Sequence, residues 1–266
     1  MIVIKFGGHA MDDANGLFSR AVAEVINSGE QCVIVHGGGP QISHALQAAG
    51  IESEFVGGFR STSSQAFAVI QAVLSGEVLR TLVGQLRLVG INAVGLTGRD
   101  GGLLIAEKLT ELLDGTAVDL GLVGEVVRVD STILRTLLDA GVLPVVAPIA
   151  VQGDISDEYS QIGLNVNADL AAAAIAGELG ADTLLFLTDV AGIYRNWPDT
   201  SSLISTITAT ELFNMRADFG GGMAPKVQAC LAAISSGAKS VRVIDGTNPE
   251  GFSLALRGIG GTLVVP

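Results

Sequence analysis

The chain has 266 residues, nearly half of them hydrophobic and only 16% charged, which excludes a disordered chain and allows one large α/β domain or two modest lobes. Acidic residues outnumber basic ones by 27 to 15; the resulting net charge of −12 argues against a nucleic-acid partner but leaves room for a small anion wherever the few cations gather. With 35 glycines and few aromatics, small and aliphatic side chains must fill the core, which suits a parallel sheet covered by helices.

The first element, Ile2-Val3-Ile4-Lys5-Phe6, has the β-branched character of a buried strand and runs into Gly7-Gly8. A cation at a strand end beside closely approachable backbone suits a phosphate, and it equally suits an ordinary turn with a snorkelling lysine. Asp12 and Asp13 are candidate caps for a helix through Leu17, Val22 and Ile26 that stops at Gly29. Cys32 to Val35 is a second buried strand, and it opens into His36-Gly37-Gly38-Gly39-Pro40 ahead of a helix from Gln41 to Ala49. One glycine satisfies a tight turn, whereas three in a row favour close approach of a ligand to backbone amides at a helix N-terminus. Neither GxxxxGK[ST] nor GxGxxG occurs, so phosphate binding would use another arrangement. Phe55 to Thr62 predicts a short hairpin carrying Arg60, either a solvated loop arginine or a clamp for a carboxylate. A long helix follows over Ser64 to Leu88, then a strand over 91–96, shorter β-elements over 103–106 and 118–129, a helix from Ser131 to Ala140, and a strand over Val142 to Pro148.

The acidic stretch Gln152 to Ser160 predicts a surface hairpin or lobe junction, dividing the chain into lobes 1–150 and 151–266. Leu164-Asn165-Val166-Asn167-Ala168-Asp169 opens an alanine-rich helix to Leu179. Asn167 fits an N-cap, and Asp169 either complements the helix dipole or lines a polar site. A strand over Thr183 to Thr188 ends at Asp189, where ligands of open α/β sheets gather. A helix over Ala209 to Arg216 precedes Phe219-Gly220-Gly221-Gly222-Met223-Ala224-Pro225-Lys226, which sets a lysine against the dipole of a helix start. A strand over Val241 to Ile244, a helix near Pro249 to Leu256 and a strand over Thr262 to Val265 complete the reading. Cys32 and Cys230 lie in apolar runs and predict buried free thiols of a reducing cytosol. The chain enters its first strand at once, and no apolar run of membrane-span length escapes a charge or a glycine, so a cytoplasmic protein without membrane contact is expected.

The stretches IVIKFGG, VIVHGGGP, GFRST, VGLTGRDGG, VDLGLVGEV, LNVNAD, LTDVAG and GGGMAPK stand in the order and spacing of the amino acid kinase family. Within it, VDLGLVGEV and GGGMAPK resemble the acetylglutamate kinases, and the resemblance runs from about residue 2 to 245. It implies a three-layer α-β-α sandwich around a central, mainly parallel sheet, with the acyl amino acid and the dimer contact on the N-terminal lobe and ATP on the C-terminal lobe. It implies that Lys5 and Lys226 flank the transferred phosphoryl group and that Asp169 holds both lysines. Gly7, Gly8 and Gly38 would give amides to phosphate and to the reacting carboxylate. Gly39, Arg60 and Asn165 would hold the acyl amino acid, Arg60 on its α-carboxylate. Asp189, Val190, Ala191, Gly192, Ile193 and Tyr194, with Asp218, Phe219 and Gly220, would line the nucleotide. Mg²⁺ would arrive with ATP rather than on protein ligands.

The implied reaction is phosphorylation of the side-chain carboxylate of N-acetyl-L-glutamate by ATP in arginine biosynthesis. Two rival readings share the motifs: a kinase of glutamate or aminoadipate carried on an amino-group carrier protein, and a catalytically silent sensor. A net charge of −12 gives little support to a docking surface for an acidic carrier, and the joint presence of Lys5, Asp169 and Lys226 weighs against a sensor. The family's acidic EGIGT-like segment is replaced here by Arg257-Gly258-Ile259-Gly260-Gly261-Thr262, and no helix precedes the first strand. An arginine-insensitive homodimer, rather than an arginine-inhibited hexamer, is therefore expected.

Overall fold

The computed structural model describes residues 1–7, 13, 15–112, 115–153, 163–219 and 223–266. In chain order, β1 (Ile2–Phe6), α1 (Leu17–Asn27), β2 (Cys32–His36) and α2 (Gly39–Ala48) lead into the hairpin β3 (Phe55–Val56) and β4 (Phe59–Arg60). The long helix follows as α3 (Ser64–Ala72) and α4 (Leu79–Leu88), joined by a π-helical turn over Val73–Val78. Then come β5 (Ala93–Thr97), β6 (Leu104–Lys108), β7 (Val123–Val129), α5 (Thr132–Asp139), β8 (Leu143–Ala147), β9 (Ile149–Gln152) and β10 (Gly163–Val166). The remainder is α6 (Ala168–Leu179), β11 (Thr183–Thr188), β12 (Thr206–Thr208), α7 (Ala209–Asn214), α8 (Met223–Ser235), β13 (Val241–Asp245), α9 (Pro249–Leu256) and β14 (Thr262–Val265).

Eight strands form one sheet in the order β12-β14-β13-β11-β1-β2-β8-β5. Every neighbouring pair in it is parallel except β13 with β14. Side chains alternate across a strand, so β1 sends Val3 into a core shared with α5, α6 and α8, and Ile2, Ile4 and Phe6 into a second core shared with α1, α2, α3, α4 and α9. Helices thus cover both faces, which is the expected three-layer α/β architecture. The same alternation places Lys5 on Val3's face, toward α6 and α8.

Several local expectations needed correction. The β-elements after residue 103 do not extend the main sheet: β10, β7, β6 and β9 close on one another as a small barrel. Pro148, which has no N–H to give a ladder, separates β8 from β9. The strand expected from 118 begins only at Val123, because Gly121 takes a positive φ of 73° where the Thr62 carbonyl comes against it. Ser131 occupies the N-cap position of α5 but makes no cap bond; its hydroxyl donates to Glu178, while Asp130 accepts from the Thr132 amide. Asp13 does serve α1, accepting from the amides of Phe18 and Ser19, whereas Asp12 lies outside the described residues. Most of the acidic stretch before β10 also lies outside them.

The run Ser64–Leu88 is long and apolar enough to cross a membrane by length and composition. Its middle carries Gly76, Glu77 and Arg80, and Ile70, Leu74, Leu79, Leu82 and Leu86 sit in the second core.

Helix α6 meets the turn at the end of α8 through Gly177, where an added Cβ would overlap the Cβ of Ser236 and stand 2.8 Å from its carbonyl oxygen. Backbone cannot rotate out of the way as a side chain can. Gly177→Ala should therefore destabilise the protein by about 2 kcal/mol, overpacking outweighing the roughly 1 kcal/mol that alanine gains in helix propensity. A thermal melt should show Tm lowered by about 4–8 °C. An unchanged Tm would mean that α6 and that turn can part there at no cost.

Candidate active site

Lys5 is the next-to-last residue of β1, and its ammonium lies 2.8 Å from Oδ1 of Asp169 at the start of α6. Lys226, in the first turn of α8, lies 3.8 Å from Oδ2 of the same carboxylate. The closer contact is an ion pair by distance, although Nζ approaches Oδ1 off the angle of a well-formed hydrogen bond, so charge attraction carries it. Burial alone would push the Asp169 carboxyl up; Lys5 and Lys226 overcome that and hold it below the ordinary carboxylate range. Asn167 caps α6 as expected, its Oδ1 accepting from the amides of Asp169 and Leu170, which pins the residue that carries the carboxylate. Asp169 therefore does more than complement a helix dipole: it bridges two cations brought from distant parts of the chain.

These groups border a cavity of about 350 Å³ that is also lined by Gly38, Gly39, Arg60 and Asn165. The seven residues expected to do the chemistry and to hold the acyl amino acid thus meet in one place. Arg60 reaches the cavity from β4, stacked 4.4 Å over the Phe55 ring, with Nη2 donating to Ser43 Oγ at 2.7 Å. Burial pulls its pKa down from the ordinary value, and a guanidinium stays charged nonetheless. Asn165 donates from Nδ2 to Thr62 Oγ1 at 3.2 Å, and that hydroxyl donates to the Arg60 carbonyl, so the two candidate substrate residues are braced through one buried threonine.

The glycine loop after β2 is held by neighbours that its own sequence does not disclose. The Gly37 amide donates to the Phe6 carbonyl at 2.8 Å, prolonging the β1–β2 ladder. A Cβ on Gly38 would stand 2.8 Å from Leu74 Cδ2 and 3.4 Å from Val78 Cγ2, both on the π-helical turn. That turn lies beside the site without any local motif to announce it; Phe59, Thr62 and Val123 stand in stretches the sequence singled out, but only tertiary packing brings them to the cavity.

The expected nucleotide residues are placed less uniformly. Gly7 sits against the Lys5 side chain, with Lys5 Nζ 2.7 Å from where its Cβ would be. Residues 189–194 follow the carboxyl end of β11, at the same end of the sheet as Lys5, but outside the lining of the cavity. Ile193 is fully buried, and its amide donates to Thr262 Oγ1. Tyr194 bridges to Leu203 and meets Trp197 edge-on. Asp218 ends a 3₁₀ turn and Phe219 packs on the first core. Gly8 and Gly220 lie outside the described residues.

Residues 1–245 match the amino acid kinase family. The chain is 48% identical to a protein named acetylglutamate kinase from Paenarthrobacter aurescens, covering 100% of this chain and 86% of the relative. The chain belongs to the amino acid kinase family. A second acetylglutamate kinase, from Streptomyces coelicolor, is 46% identical over 100% of this chain and 86% of its own. A solved structure from Streptococcus mutans superposes with a TM-score of 0.80 at 25% identity, covering 99% of this chain and 98% of the other. The eight-stranded sheet with helices on both faces is thus the architecture of an amino acid kinase. Both cysteines are buried free thiols, as expected; burial pushes Cys32 up to about 12 and Cys230 well above its ordinary value, so neither is a nucleophile at neutral pH.

Proposed function

We propose that this amino acid kinase transfers the γ-phosphoryl group of ATP to the side-chain carboxylate of N-acetyl-L-glutamate, releasing ADP and the acyl phosphate, in arginine biosynthesis. The observation that carries the reading is one of charge. In a chain of net charge −12, Lys5, Lys226 and Arg60 converge on one cavity, and among its described lining residues Asp169 alone opposes them. The acceptor carboxylate is ionised at neutral pH, with an ordinary pKa of about 4.3, so no general base is required. The obstacle is an anion approaching a polyphosphate, and two ammonium groups with backbone amides supply the neutralisation and alignment that an in-line transfer needs.

In this reading Lys5 and Lys226 contact the transferred group, and Asp169 keeps both correctly spaced. Gly7, Gly8 and Gly38 offer amides, while Gly39, Arg60 and Asn165 hold the acyl amino acid. Residues 189–194 and 218–220 receive the nucleotide. Residues 1–150 then carry the acyl substrate and residues 151–266 carry ATP. Asp169 is already committed to two lysines, so Mg²⁺ is assigned to the phosphates of ATP. A homodimer in the cytoplasm completes the proposal: the buried free thiols fit a reducing compartment, and light scattering tests the dimer.

The decisive assay traps the product. Enzyme, ATP and Mg²⁺ with hydroxylamine should yield hydroxamate from N-acetyl-L-glutamate and not from free glutamate, N-acetyl-aminoadipate or aspartate. No product from any of them would overturn the substrate assignment. Within that assay, Arg60→Ala should raise the KM for N-acetyl-L-glutamate about 100-fold, the loss of a charge-assisted pair worth about 2–3 kcal/mol, while the KM for ATP moves little. Equal changes in both KM values would remove Arg60 from the α-carboxylate.

A further inference from the structure

His36 ends β2, and its side chain is fully buried. Its Nδ1 lies 2.7 Å from the Gly37 carbonyl oxygen. A carbonyl can only accept, so Nδ1 carries the hydrogen. Nε2 is buried with no hydrogen-bond partner among the described residues, which suits a bare lone pair on a neutral ring. Burial pushes the ring's pKa down to about 4, so this tautomer persists across the working pH range.

The Gly37–Gly38 peptide is trans, since among the described residues the cis bond is Trp197-Pro198. In a trans peptide the C=O and the following N–H point in opposite directions within one plane. Fixing the Gly37 carbonyl therefore fixes the direction of the Gly38 N–H. His36 follows the alternation that sends Ile34 and Cys32 into the core with α1 to α4, the face opposite Lys5. The carbonyl is drawn toward that face and the amide is turned away from it. The Gly38 N–H has no acceptor among the described residues, although its carbonyl accepts from the Ile42 amide at 2.8 Å, and Gly38 borders the cavity that holds Lys5, Asp169 and Lys226.

The geometry points to His36 as a positioning residue that aims the Gly38 amide at the oxygen of the reacting phosphoryl or carboxylate group. This rests on the kinase reading above and adds to it a residue that itself touches neither substrate. Leu74 and Val78, which belong to the same core that His36 faces, stand where a Cβ on Gly38 would project, so the loop passes close to them as well as being tied at the Gly37 carbonyl. Without the histidine bond the peptide can turn, and the amide is lost to the site while the backbone path survives.

Two substitutions separate this role from simple core packing. Asparagine places its amide nitrogen where Nδ1 stands and can donate to the same carbonyl; glutamine places its own at the position of Nε2 and cannot. Under the hydroxamate assay His36→Asn should keep kcat within about threefold of the wild type. His36→Gln should lose about 30–100-fold in kcat, the scale of one misdirected oxyanion donor, with the KM for ATP little changed. Equal kcat per folded molecule in the two variants would overturn the inference. If His36→Gln does not fold, the Gly38 amide in ¹⁵N-labelled wild type decides: its proton should move downfield when β,γ-imido-ATP and N-acetyl-L-glutamate are added together, and a resonance unmoved by them would overturn the inference. A wild type that makes no hydroxamate fails the kinase reading instead, so the two failures are distinct.

Discussion

Replacing Lys226 with alanine is expected to lower kcat by about 10³-fold and to change ATP affinity much less. A preorganised donor aimed at developing charge is worth about 10²–10³ in rate, and a full ammonium charge on a largely buried side chain lies at the upper end of that range. Lys5→Ala should cost at least as much. Lys5 is the closer partner of Asp169, at 2.8 Å against 3.8 Å, and its side chain is the more buried of the two, 11% exposed against 22%. In the proposed reaction ground-state ATP binding would spread over many contacts, whereas the bridge between attacking and leaving oxygens would depend on these two cations, so the loss belongs in kcat. The double variant should be barely worse than the poorer single one, because the two act through one carboxylate and one phosphoryl group. Single-turnover acyl-phosphate formation measures the effect directly. Near-native kcat in either single variant would take that lysine out of the mechanism.

Asp169→Asn should show its largest effect on stability and a secondary one on rate. The carboxylate is buried and held by two cations, and removing one member of a buried ion cluster leaves uncompensated charge at a cost of about 3–5 kcal/mol. A polyphosphate supplies the missing negative charge, so saturating ATP should restore more stability to the variant than to the wild type. The pH dependence separates the carboxylates from the buried histidine. Asp169 titrates below its ordinary value in the folded protein, so below about pH 4 the unfolded chain binds the proton first, and stability falls as pH falls through the folded pKa. His36 is also depressed, to about 4 from 6.5, and its contribution is lost over the window from about pH 6.5 down to 4. Tm against pH should therefore decline in two stages in the wild type. Asp182, held down by Lys239 and the N-terminus, and Asp130, Asp199 and Glu211, held down by local hydrogen bonds, share the lower stage, so Asp169→Asn should shrink it and keep the upper one. Loss of the upper stage in that variant, or an undiminished lower one, would assign the acid limb to other groups.

Much of this site was legible in residue order because its parts are local. A β-branched strand ending in Lys5, a triple glycine between a strand and a helix, and an asparagine cap before Asp169 each follow from backbone sterics and capping chemistry within a few residues. Arg60 was visible but ambiguous, since a hairpin arginine is solvated or clamped according to what stands opposite. The cavity, Ser43 and the Phe55 ring settle where it lies. The strand pieces after residue 103 carried the right period and too little information about partners, so their closure into a barrel could not be read from them.

By itself the sequence determined which residues could face one another: the two-residue period of β1 commits Val3 and Lys5 to one face and Ile2, Ile4 and Phe6 to the other, whatever lies beyond. Only the tertiary structure decided that α6 and α8 cover the Lys5 face, with Gly177 of α6 against the turn that ends α8, so that Asp169 meets two lysines far apart in the chain. It also decided that the long helix widens into a π-turn against Gly38 and that a buried histidine turns a glycine peptide toward the cavity. The physical reason is range. Propensity and periodicity act over a few residues, whereas the choice of which helix covers which face is made by close packing among segments that are distant in sequence.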